Sequence, residues 1–376
     1  MLRAATAGAA AAAAIAAGRR AGAAPEPPRG PDVVLVILDD MRDSDWRALP
    51  ETTRLLAARG SLFPHYLCAT PLCGPARASL LTGRRAGRSP IRTNEDGPAG
   101  LSGPNIPEAL LARGYQTALF GKYLNGAGNA APPGWSAFDS KTSGNVPRIQ
   151  RKALSWLGRI SADPFFLCLA PNAPHDPPRP PARYLDLYPD EPDPDRWRLQ
   201  MCRGVDDLIA AVARRLRALR RLDGTLFIVL SDNGFHSRGE HGILDKGTPY
   251  AESLRVSMRA MGPGIPAGGV SGRLVCPQDI PVTIARLAGA RIAGADGDDF
   301  RSSSRQYRLI EFFAGSPLGP WRGLASQTWT YVEWSDGRRS FLDRTRDPSE
   351  TTDFYPSLPP EQRALLASYL QAELAR

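Results

Sequence analysis

Four short apolar runs, each ending in polar residues, constrain the fold of this chain more than any other feature. Residues 33–38 lead into Asp39 and Asp40, and 115–120 lead into Gly121 and Lys122. Residues 165–169 run toward Pro174 and His175, and 226–230 lead into Ser231, Asp232, Asn233 and Gly234. Uninterrupted apolar runs of this length suit strands buried on both faces, where no in–out alternation survives. Helical stretches separate them, at 50–59 before Gly60, 105–113 before Gly114, 146–159 and 202–222. Strands alternating with helices predict an α/β fold: a large, mainly parallel sheet sandwiched by helices. Ligands of such sheets bind beyond the carboxyl ends of the strands, so all four polar endings are expected on one edge.

After about residue 289 the texture changes. Residues 308–313, 328–334 and 340–342 read as short antiparallel strands, with Asp336-Gly337 as a turn and a closing helix over 360–374. We therefore expect a catalytic domain over 31–290 and a smaller C-terminal α+β domain with an antiparallel sheet over 291–376. Residues 1–30 stand apart. Their basic start, alanine-rich stretch and small residues before Pro25 fit a signal peptide, with a low-complexity tail as the alternative. Export to a periplasmic or extracellular location is the expectation over a cytoplasmic one. No stretch is long and apolar enough to span a membrane.

The 376 residues carry 47 Lys and Arg against 38 Asp and Glu, a net charge of +9 that suits an anionic substrate, a nucleic acid or an acidic surface. Five of the arginines (Arg214, Arg215, Arg217, Arg220 and Arg221) fall in one Ala/Leu helical pattern and read as a solvated helix face. No RNA-binding aromatic motif, zinc-finger spacing or heptad repeat accompanies them, so no nucleic-acid partner is expected. The five cysteines have no metal-type spacing, and their odd number leaves at least one thiol unpaired. A disulfide among the others stays open.

Chemistry concentrates around Cys73-Gly74-Pro75-Ala76-Arg77, followed by Ala78 to Gly83. Pro75 is tolerated only in a first helical turn, and Gly83 suits a left-handed stop. Cys73 therefore sits at or near an N-cap, with Arg77 one turn on, so a cation and a partly positive helix end surround the sulfur. An isolated match of this kind reads as a buried structural cysteine beside a surface arginine. The other strand-end residues change that. Asp39, Asp40, Asp232 and Asn233 are hard oxygen donors of the kind that ligate Ca²⁺ or Mg²⁺ rather than zinc, provided their strands are neighbours. Arg77, Lys122, His175, His236 and Lys246 form a second set, cationic or proton-bearing, suited to a tetrahedral oxyanion held against a metal ion.

Taken together, these segments resemble the type I sulfatase family within the alkaline phosphatase superfamily, over residues 32 to about 355. Residues 71–77 with Leu80-Leu81-Thr82-Gly83 look like the family's first signature, and 114–125 like its second. Residues 170–175, and 231–236 with Gly239-Glu240-His241-Gly242, are similar as well. The wording is nearest the glucosamine-6-sulfatase-like and bacterial arylsulfatase branch. The resemblance implies an alkaline-phosphatase-like fold and oxidation of Cys73 to Cα-formylglycine by a formylglycine-generating enzyme. The hydrated aldehyde would be the nucleophile, and its second hydroxyl would later expel sulfate from a covalent ester. By position, Asp39, Asp40, Asp232 and Asn233, with the residue derived from Cys73, correspond to ligands of one divalent cation, Ca²⁺ ahead of Mg²⁺. Arg77 would steady that site, Lys122 and Lys246 would bind sulfate oxygens, and His175 would bind sulfate or protonate the leaving oxygen, with His236 as a second donor.

The expected activity is hydrolysis of a sulfate monoester, on a sulfated sugar or an aryl sulfate. Two alternatives stand beside it: a phosphodiester or phosphonate monoester hydrolase on the same fold, and an inactive protein that binds sulfated ligands. Leu124 stands where many members carry a histidine, and none follows within residues 85–92. These departures bear on substrate more than on reaction class.

Overall fold

The computed structural model describes residues 30–98, 101, 103–314 and 318–376. The expectation for the N-terminal segment thus lies outside the described residues, Gly30 apart. The four apolar runs become β1 (Asp32–Leu38), β3 (Gln116–Gly121), β5 (Phe165–Ala170) and β6 (Thr225–Ser231). Shorter strands join them: β2 (Gly60–Phe63), β4 (Ala137–Asp139), β7 (Met258–Met261) and β8 (Gly269–Val270). The eight form one sheet in the order β4-β3-β5-β1-β6-β7-β2-β8. Every pairing is parallel except the two made by β7.

Helices cover both faces, which explains why β1, β5 and β6 are buried at every residue. On one face α1 (Pro50–Arg59), α4 (Val146–Leu157) and α5 (Asp195–Ala218) pack over Val34, Val36 and Leu38. On the other, α2 (Cys73–Thr82), α3 (Ile106–Leu111) and α7 (Asp279–Leu287) pack over Val33, Leu35 and Ile37. Each aliphatic side chain so buried contributes about 1.5–3 kcal/mol, before the entropy of ordering it is counted. A single turn, α6 (Ala251–Leu254), lies between β6 and β7. Helix α5 starts seven residues before the expected Cys202, directly after Pro194, and Arg214, Arg217 and Arg220 are exposed as expected. No disulfide forms: all five cysteines are buried free thiols, which closes the option left open by their number.

The remaining strands, β9 (Tyr307–Phe312), β10 (Trp321–Ser326), β11 (Trp329–Trp334) and β12 (Arg339–Asp343), make a separate antiparallel sheet in the order β12-β11-β10-β9. Ile310, Phe312, Trp321 and Val332 pack against Leu67, Leu254 and Cys276 of the large body. Leu309, Leu324 and Tyr331, from the other face, enclose Leu370 of α8 (Pro360–Ala375). Glu311 of β9 also clamps the segment that follows α2, pairing with Arg85 at 3.2 Å and accepting the Gly87 N–H at 3.0 Å.

Candidate active site

Helix α2 begins at Cys73 itself, with Leu72 extended before it at φ −152° and ψ 132°. Pro75 falls in the first turn, where a backbone N–H would have no intrahelical partner. Gly83 closes the helix at φ 71°. The Gly74 N–H, one of the free donors of that first turn, donates to Asn94 Oδ1 at 2.8 Å. The helix is buried along its whole length, and that seats the sulfur.

Since β3, β5, β1 and β6 lie side by side, their polar endings do converge. Cys73 Sγ is 3.2 Å from Asp39 Oδ1 and 3.7 Å from Asp40 Oδ1. Lys122 Nζ pairs with Asp39 Oδ2 at 2.6 Å. Its placement depends on Gly121, at φ 119°, where a Cβ would stand 2.0 Å from the Ala170 carbonyl oxygen. Lys246 Nζ lies 3.1 Å from Cys73 Sγ and also pairs with Asp40. The loop that brings it there is closed by a backbone bridge in which the His236 N–H donates to Asp245 O at 2.8 Å. His175 Nε2 lies 3.6 Å from Asp40 Oδ2, while its Nδ1–H donates to the Asp176 carbonyl. With Nδ1 so engaged, Nε2 can give up a proton only from the imidazolium form.

Arg77 turns inward to the strand-end carboxylates. It is buried, with Nε 2.8 Å from Asp232 Oδ2, a second nitrogen 3.6 Å from Asp39 Oδ2 and a third donating to Lys122 O at 2.9 Å. Buried carboxylates claim its charge first. Asp232 accepts the main-chain N–H groups of Asp40 at 3.2 Å and Asn233 at 2.9 Å, and Asn233 Nδ2 donates to Asp40. His236 is fully buried and shares Nε2 with Thr248 Oγ1 at 2.8 Å.

Burial alone would raise Asp39, but Lys122, Arg77, Lys246 and His175 outweigh it and hold the carboxyl well below its usual range. Asp232 goes the other way, pushed up to about 6 by burial and by Asp39 against the pull of Arg77. Burial and then Asp39, Asp232 and Asp40 drive the Cys73 thiol far up, against the pull of Lys246. An unmodified Cys73 is therefore held protonated and is a poor thiolate nucleophile.

Asp39, Asp40, Cys73 and His175 offer ligand atoms that lie within 4.8 Å of one another. Asn233 Oδ1 is buried there with no hydrogen-bond partner. Crowded carboxylates beside an orphaned amide oxygen fit a hard divalent cation.

One residue that holds these loops in place escaped sequence reasoning. Arg198 of α5 is fully buried. Its guanidinium donates to Asp40 O and, at 3.2 Å, to Pro174 O, and stacks 4.8 Å over the Phe235 ring. It thus touches the chain after β1, β5 and β6 together. Asp40, at φ 61°, is a non-glycine residue in the left-handed region, a conformation that such a tie helps to sustain.

Similarity to known proteins agrees with this arrangement. The extracellular sulfatase SULF-1 homolog of Drosophila melanogaster is 28% identical over 335 residues, covering 69% of this chain and 30% of that protein. Human N-acetylglucosamine-6-sulfatase is 28% identical over 340 residues, covering 69% of this chain and 61% of the relative. The chain thus spans from under a third to about three fifths of these relatives. Among solved structures, BT4656 in complex with its substrate D-glucosamine-2-N,6-O-disulfate superimposes with a TM-score of 0.80 at 17% identity, over 92% of this chain and 97% of that one, a likeness of fold. The family model for Sulfatase matches residues 31–290, a span that contains the large sheet and every strand-end residue gathered around Cys73, so the chain belongs to the sulfatase family.

Proposed function

We propose that the protein hydrolyses a sulfate monoester, breaking the bond between sulfur and the alcohol oxygen to release alcohol and sulfate. The observation that carries this reading is the setting of Cys73, a suppressed thiol at a helix start between Lys246, Asp39 and Asp40. Conversion of Cys73 to formylglycine by a generating enzyme would supply a hydrated aldehyde as oxygen nucleophile, made more acidic by a divalent cation, Ca²⁺ ahead of Mg²⁺. Asp39, Asp40, Asp232 and Asn233, with the residue derived from Cys73, would hold that cation.

The chain's own side chains do the rest. Lys122, just after β3 and paired with Asp39, and Lys246, in the loop after β6 and 3.1 Å from Cys73 Sγ, offer N–H donors to the sulfate oxygens as charge builds on them. His175 protonates the departing alcohol oxygen from Nε2, its ring fixed through Nδ1. Arg77 keeps Asp232 and Asp39 in place and leaves the sulfate to the lysines. His236 supports the Lys246 loop through its backbone bridge and its bond to Thr248.

Similarity to N-acetylglucosamine-6-sulfatase, and to a structure holding a sulfated sugar, favours a sulfated glycan or sugar as substrate. A relative named as extracellular favours export. No described helix is long and apolar enough to cross a membrane. The same reading divides the chain near residue 290, where the family match ends and the four-stranded sheet is still to come.

The test begins with mass spectrometry of the Cys73 peptide from protein made beside an active formylglycine-generating enzyme. An aldehyde, with sulfate release from aryl or sugar sulfates that Cys73→Ala abolishes, is the expected result. A thiol in cells that convert a control sulfatase would sink the mechanism. Faster cleavage of phosphate diesters or phosphonate monoesters than of any sulfate ester would move the assignment to that class.

A further inference from the structure

Beside the nucleophile lies a cavity of about 430 Å³, between the start of α4 and the proline-rich chain after β5. His175 belongs to both places. It forms part of the cavity wall, and a nitrogen of its ring lies within 4.8 Å of the ligand atoms of Cys73, Asp39 and Asp40. A sulfate held at Cys73 by the two lysines would therefore direct its alcohol portion into this space.

The walls define what that alcohol is. Val146, Pro147, Pro177, Pro181 and Met201 supply apolar surface, and the lining contains no phenylalanine, tyrosine or tryptophan to stack on an aryl group. Asn145 and Asn172 supply amides; Asn145 Oδ1 is taken by the Arg148 N–H, which leaves its NH₂ group to donate. Apolar patches with convergent donors suit a hydroxylated ring.

Arg179 adds a charge. It lines the cavity, its side chain is exposed, and it makes no ion pair or side-chain hydrogen bond among the described residues. A solvated surface arginine would look the same in isolation. This one stands between Pro177-Pro178 and Pro180-Pro181, and its N–H is 3.2 Å from Met201 Sδ of the opposing helix. Prolines fix φ on both sides, so the residue is held at the cavity before any ligand arrives. An unpaired guanidinium in such a place suits a planar or tetrahedral oxyanion, which it can bind with two parallel N–H groups.

We propose that this cavity holds the alcohol portion of the substrate and that Arg179 pairs with a second anionic group on it. The preferred substrate is then a sugar sulfate ester that carries a further sulfate or carboxylate. This inference rests on the sulfatase reading.

The experiment compares wild type, Arg179→Gln and Arg179→Lys on three esters: glucosamine 6-sulfate, glucosamine N,6-disulfate and 4-methylumbelliferyl sulfate. The wild type should favour the disulfate over the monosulfate by about tenfold or more in kcat/KM, as one charge-assisted contact allows. Arg179→Gln should erase that preference through KM while sparing the other two esters, and Arg179→Lys should keep part of it. An unchanged preference in Arg179→Gln, or no preference in the wild type, overturns the subsite. Should matured protein release sulfate from none of the three, the sulfatase reading fails for these esters. Calorimetric titration of the disulfate into wild type and Arg179→Gln then decides the subsite separately. Weaker binding by the variant upholds it, and equal or undetectable binding by both overturns it.

Discussion

The buried ring of His236 favours its neutral form. Burial, with a smaller push from His241, brings its pKa down from 6.5 to about 4, and Glu240 offsets only part of this. A group depressed in the folded state contributes stability that is full above its unfolded pKa and is lost as pH falls through the folded value. The stability tied to His236 is therefore present above about pH 6.5 and drains away between there and about pH 4, by at most about 3 kcal/mol. His236→Gln, which keeps a polar group near Thr248, should flatten the fall of Tm across that window. Identical Tm-against-pH curves for the two proteins would show that the ring does not titrate as described. Single residues were also the most legible part of the sequence. Asp39, Asp40, Lys122, Asp232 and Asn233 each come within three residues of the end of an apolar run, so the strand signal placed them at an edge without any knowledge of the partners. Arg77 could be placed one turn from Cys73, but spacing along one helix does not reveal that Asp232 and Asp39 arrive from two strands and take its charge.

At the scale of elements, the four parallel strands could be read because burial on both faces demands uninterrupted apolar sequence. Strands β2, β7 and β8 could not. They have two to four residues each, and only their partners across the sheet make them strands. β10 was missed because Arg322 and Gly323 interrupt its apolar sequence; the structure explains the glycine, since a Cβ there would stand 2.0 Å from Tyr331 O. Arg198 was illegible for a related reason. In the sequence it is one more arginine on a helix, and its value comes from two carbonyls that the helix does not contain. Helix α5 thereby acts as a brace across three strand ends. Arg198→Lys keeps a buried cation beside Asp45 but can reach only one of the two carbonyls. We expect kcat to fall by about 10–100-fold with KM changed by less than about threefold, the pattern of a displaced reacting group. A variant with normal kcat, or one whose loss tracks a matching fall in Tm, would reduce Arg198 to packing.

Across the whole molecule, the charge gathered at the strand ends should make stability depend on a divalent ion. Asp39, Asp40 and Asp232 are all buried within one hydrogen-bonded group, so an ion that binds only the folded chain stabilises it by mass action. At a hundredfold excess over Kd this amounts to about 2.7 kcal/mol. Titrating Ca²⁺ into chelator-stripped protein should thus raise Tm by several degrees, with Mg²⁺ less effective at equal concentration, and a chelator should reverse the shift. A Tm indifferent to both ions would remove the cation from the site. The two sheets bear on a different quantity, time. The clamp that Glu311 places on Gly87 joins residues 224 apart in the chain. A ribosome adding about 5–20 residues each second needs roughly 10–45 s to make that stretch. During this interval Cys73 has already been synthesised while the strand that clamps the segment after its helix does not yet exist. In the finished fold the same residue is only 1% exposed. Any enzyme that must handle its sulfur directly therefore meets an accessible substrate chiefly while the chain is still growing, and the late completion of the small sheet sets how long that opportunity lasts.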